Sequence, residues 1–146
     1  MTAVLQRILI VCAVVLPSAL VGCENEAERQ RRTEAAALVH ALNQLRDAPN
    51  EGKRPLFKAF EKLPCSAKDL CELRRICAKA YERHLRALDA TRSLRHSLKG
   101  DGGVSPAASA KAARLADDAQ QYLERARFLN RRCVKLQGRI EQAYDL

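Results

Sequence analysis

The chain has 146 residues, 47% of them hydrophobic but only 4% aromatic, with no tryptophan and a formal net charge of +9 at pH 7. That length suits one small domain. With three Phe and three Tyr there is no base-stacking platform, so no nucleic acid partner is expected, although the positive charge suits other acidic surfaces.

Residues 1–7 carry one charge, Arg7, and residues 8–19 (ILIVCAVVLPSA) form an apolar run. The run is shorter than the about 20 residues a bilayer-spanning helix needs. A charged start, a short apolar core and small residues before a cut site form the pattern of a secretory signal peptide. It ends in Leu20-Val21-Gly22-Cys23, which resembles a bacterial lipobox. The resemblance implies that the Cys23 thiol carries diacylglycerol, that the chain is cut after Gly22, and that residues 1–22 are lost. Glu24 rather than aspartate follows, which in enteric-type sorting implies the outer membrane, facing the periplasm. The resemblance covers residues 1–23 and no more.

The mature chain from Cys23 would keep 25 basic and 17 acidic side chains, a formal charge of +8. Residues 24–34 (ENEAERQRRTE) are almost entirely polar and read as a tether, or a frayed first turn, that lifts a domain of residues 35–146 off the membrane. From Ala35 the apolar residues recur at helical spacing through Leu38, Leu42 and Leu45. Pro49 and Gly52 end that helix. A short helix follows with Pro55 in its first turn and Phe57, Phe60 and Leu63 on its buried side, closed by Pro64.

Ser66, with Asp69 three residues on, reads as the cap of a long helix reaching about Leu98. Its apolar stripe is Leu70, Leu73, Cys77, Tyr81, His84, Leu88, Thr91 and Leu98. Lys99–Val104 is a glycine-rich turn, and Ser105-Pro106 starts the last helix as cap plus first-turn proline. Along that helix Ala108, Ala112, Leu115, Ala119, Tyr122, Ala126, Leu129, Cys133, Leu136, Ile140 and Ala143 alternate by four and three, as a heptad seam does. No strand-like alternation occurs. The fold expected is therefore all-α: a small disulfide-stapled bundle of three long helices and one short one, built on a long antiparallel helical hairpin. A monomer is expected rather than a dimeric coiled coil, because the partner helix is covalently close.

Four cysteines remain once Cys12 and Cys23 are set aside. Zinc ligands fall two to four residues apart, or three to five for a histidine pair, and Cys65-x5-Cys71-x5-Cys77 fits neither. On one helix Cys71 and Cys77 point about 120° apart and lie about 9 Å apart along the axis, too far to bond or to share an ion. Cys77 and Cys133 lie on the facing seams, and joining them sets a register in which Leu70 meets Ile140, Tyr81 meets Leu129 and Leu98 meets Ala112. Cys71 points off the seam toward Cys65. The pairing expected is Cys77–Cys133 with Cys65–Cys71. The rival, Cys71–Cys133 with Cys65–Cys77, would require residues 65–70 to fold back.

No metal or cofactor motif is present, and no catalytic residues are assigned. His84 lies on a core stripe, where a satisfied core histidine is expected, and His40 and His96 read as exposed. Asp117-Asp118 face water, and the glycine-rich turn lacks the Lys-Ser/Thr of a phosphate loop. A non-enzyme is expected. The surface feature that suggests binding is a line of Arg125, Phe128, Arg132, Lys135 and Arg139 beside the seam, with no acid between Arg125 and Ile140. Arg75, Lys79, Arg83 and Arg86 form a similar line on the preceding helix. Such a face suits an anionic lipid surface or an acidic envelope protein. The expected function is structural or binding: a membrane-anchored envelope lipoprotein presenting a basic bundle. A regulatory module for an acidic envelope protein and a coiled-coil assembly subunit are the alternatives.

Overall fold

The computed structural model describes residues 25–98 and 105–146. Cys23, the expected signal segment 1–22 and the expected turn at 99–104 lie outside the described residues. Four helices follow in order: α1 (Glu26–Asp47), α2 (Lys53–Glu61), α3 (Lys68–Leu98) and α4 (Pro106–Tyr144). Among the described residues there is no strand, and no helix is long and apolar enough to cross a membrane.

α3 and α4 share the largest interface, and α1 and α2 pack across one end of that pair. Both disulfides form as the cysteine spacing predicts: Cys77–Cys133 ties α3 to α4, and Cys65–Cys71 ties the loop before α3 to its first turn. The Tyr144 hydroxyl donates to Asp69 at 3.2 Å, and the Tyr122 ring lies against Arg83 and Arg86. These contacts, on either side of Cys77–Cys133, keep the antiparallel order that the bridge sets.

α1 begins nine residues before the apolar pattern does. Asn25 caps it by accepting the Ala27 N–H at 3.2 Å, and Glu26 and Glu28 place negative charge in its first turn. Residues 26–34 are therefore helix rather than tether. Glu34, inside that polar stretch, is only 5% exposed. Its carboxylate accepts the Ser66 N–H at 2.6 Å and the Ser66 hydroxyl at 2.8 Å. Ser66 is thus turned toward α1 instead of capping α3, which starts at Lys68 with Ala67 O accepting the Cys71 N–H. Ser105 does cap α4, accepting the Ala108 N–H at 3.1 Å with Pro106 following.

α2 starts at Lys53, ahead of Pro55, and buries Phe57 and Phe60. These join Leu38, Leu42 and Leu45 of α1 with Leu70, Leu73 and Ile140 in one core. The buried arc of α3 is wider than the expected stripe, because Ile76, Ala80, Leu85 and Ala87 are buried too. α3 contacts every other helix, so one seam cannot contain its core side. On α4 the seam is deep at Ala126, Cys133, Leu136 and Ile140 and open at Ala108 and Ala143. Residues 88–98 and 106–125 contain no buried residue, and Leu98 is 70% exposed. The hairpin therefore extends past the core as a two-helix arm.

Candidate functional site

Arg125, Phe128, Arg132, Lys135 and Arg139 are all exposed on α4. At 100° per residue they fall within an 80° arc. That arc lies to one side of the Ala126–Cys133–Ile140 seam, while Gln137, which bonds to α1, lies on the other. The basic line thus occupies the flank of the hairpin turned away from α1. Its four cations have no ion-pair partner among the described residues. Phe128 is 56% exposed, with the Arg131 guanidinium 6.0 Å from its ring centre.

The α3 line meets this face at a single point. Arg83, Arg125, Phe128 and Leu129 line a shallow groove together with Glu124. Arg86 is paired with Glu82 at 2.6 Å. Arg75 and Lys79 are exposed. The basic surface is therefore a strip along α4 with an aromatic ring set in it, joined by Arg83 from α3.

A second feature had no sequence signal. On the opposite flank of α4 all four helices border a cavity of about 300 Å³. Arg46 closes it from α1, Lys53 from α2, Tyr81 and His84 from α3, and Arg127 and Asn130 from α4. Ala80, Leu123 and Ala126 supply apolar wall, and among the described residues no carboxylate lines it. Two of the cations are held in place. Lys53, 8% exposed, donates from Nζ to Leu45 O at 2.7 Å and Arg46 O at 3.2 Å. Arg46 donates to Gln137 Oε1 at 2.7 Å and Asn43 Oδ1 at 3.2 Å. Arg127 is exposed and has no ion-pair partner among the described residues.

His84 is not the satisfied core histidine expected. It is half-buried, and its Nε2 is buried without a hydrogen-bond partner among the described residues. Burial, reinforced by the Lys53 charge, holds its pKa below 6.5. Burial also raises the Tyr81 hydroxyl above 10.0, with Arg46 pulling it down and Asp47 pushing it up.

His40 and His96 are exposed, as are Asp117 and Asp118. All four cysteines of the described residues are spent in disulfides. No protein-family model, curated protein or solved structure matches the chain.

Proposed function

We propose that the chain is an exported, lipid-anchored envelope protein with a binding role, held through Cys23 and presenting its basic strip to an anionic lipid surface. The single observation that supports the binding role most is the exposed strip itself, in which four cations with no ion-pair partner among the described residues flank an exposed phenyl ring on a disulfide-braced helix. Each Lys or Arg brought to an anionic leaflet contributes about 1 kcal/mol, within a Debye length. Phe128 adds an apolar contact that simple charge attraction lacks. The lipobox-like Leu20–Cys23 supports the anchor, and Glu24 supports placement in the outer membrane facing the periplasm.

The test has two parts. Intact mass from the native membrane should correspond to residues 23–146 plus diacylglyceryl and acyl groups. The soluble domain should bind phosphatidylglycerol vesicles, with binding lost on raising salt and weakened by about tenfold or more in Arg132→Glu/Arg139→Glu. An unlipidated mass would remove the anchor. Vesicle binding untouched by the double variant would remove the strip.

A second reading, a regulatory module for an acidic envelope protein, is supported by the Arg83–Phe128 groove, which suits an acidic segment with one apolar side chain. That reading expects one saturable protein partner and no vesicle binding. An assembly subunit joined through the α4 seam is less well supported, because α3 of the same chain already occupies that seam.

A further inference from the structure

We propose that the four-helix cavity is a binding site for a small phosphate ester. The inference is independent of the strip, which lies on the other flank of α4.

The cavity has the character of a ligand site rather than a packing defect. Packing defects are apolar and small, whereas polar groups from all four helices converge here. Arg46, Lys53 and Arg127 bring three positive charges without a lining carboxylate. Cations so placed repel one another unless an anion sits among them. His84 lines the cavity, and its Nε2 is buried with no partner among the described residues, which costs free energy; a turn of the ring would bring that nitrogen to a ligand oxygen.

The size and the distribution of donors narrow the class. About 300 Å³ is the lower end of small-molecule sites, which suits a small ligand. Arg127 and Asn130 approach from α4 and His84 and Tyr81 from α3, so donors come from several directions. A planar carboxylate offers two oxygens in one plane, but a tetrahedral phosphate offers acceptors all round, and an arginine can pair with two of them. The apolar wall of Ala80, Leu123 and Ala126 leaves room for a short carbon chain on the ester. Arg46 and Lys53 are already fixed by Gln137 and by the α1 carbonyls, so they supply pre-organised field. Arg127 is left to close on the ligand. A soluble ester and a phospholipid headgroup share this chemistry.

The test is titration of the full soluble domain, residues 24–146 with both disulfides formed, with glycerol 3-phosphate. The His84 imidazole signals are followed by ¹H–¹⁵N NMR. Saturable movement of His84 is expected, with affinity falling about tenfold or more in Arg127→Gln, the loss of one charge-assisted pair. Arg127 is exposed, so this variant should keep the fold. Arg132→Glu/Arg139→Glu should leave the His84 response unchanged. Vesicles of phosphatidylglycerol separate the two sources. If Arg127→Gln weakens vesicle binding, the headgroup is the ligand; if it does not while glycerol 3-phosphate still binds, the ligand is a soluble ester. A silent His84, or a response equal in wild type and Arg127→Gln, overturns the proposal. It does so whether or not the strip binds vesicles.

Discussion

The Lys53 ammonium lies 2.7 Å from the carbonyl oxygen of Leu45 and closes the end of a helix other than its own. The residue four beyond Leu45 is Pro49, which has no N–H to give. Lys53 takes the place of that donor and also reaches Arg46 O. A buried cation on the negative end of α1 is well placed electrostatically. Replacing Lys53 with Met keeps the apolar stem but orphans the carbonyl, so Lys53→Met should cost about 2 kcal/mol, read from urea unfolding.

The two disulfides close loops of very different length, with sequence separations of 56 and 6. On loop entropy alone Cys77→Ala/Cys133→Ala should cost about 4 kcal/mol and Cys65→Ala/Cys71→Ala about 2 kcal/mol. Denaturant melts of the two double variants should rank in that order.

Glu34 accepts both polar hydrogens of Ser66, and the Ser66 N–H, then its hydroxyl, hold the carboxylate below its ordinary 4.5. Because the folded pKa is depressed, the stabilisation is present above pH 4.5 and is lost as pH falls through the folded value. Glu34→Gln should therefore lower the melting temperature at pH 7, with the gap to wild type closing at the acid end of a pH series.

His84 adds a separate acid limb. Its folded pKa lies below 6.5, so the unfolded chain binds the extra proton first as pH drops. Stability should be full above pH 6.5 and decline as pH falls toward the folded value. NMR titration should place the His84 midpoint below 6.5, and His84→Leu should flatten this part of the stability profile.

The arm should open separately from the base. Residues 88–98 and 106–125 contain no buried side chain, so their amides should exchange through local opening. Amides around Leu73–Leu85 and Ala126–Ile140 should exchange only through global unfolding. Hydrogen exchange resolved by residue would show the step.

How legible each feature was depends on how local its cause is. The cysteine pairing could be read because helix geometry forbids Cys71–Cys77 and because Cys77 and Cys133 both fall on the facing seams while Cys71 does not, and the hairpin because its heptads persist along α4. The start of α1 could not, since Asn25 and Glu34 work through hydrogen bonds that leave no apolar period. Ser66 has the residue type of a cap, but the carboxylate that turns it away lies 32 positions upstream. Ile76 and Ala87 fall outside a single seam because α3 is covered from two sides. The cavity was the least legible feature: Arg46, His84 and Arg127 share nothing in sequence and become neighbours only when four helices close.

The early start of α1 also changes what an anchor would do. Asn25 is two residues past Cys23, so a lipid there would leave a leash of about 7 Å. Arg32 joins Asp145 near the foot of α1, so the C-terminal end of the hairpin would be pinned beside the bilayer. The 39 residues of α4 would carry the other end about 58 Å from that foot. The molecule would behave as a boom hinged at its base, lying flat when the strip engages the surface and sweeping the space above when it does not. Its reach would be set by the stiffness of a hairpin rather than the slack of a linker.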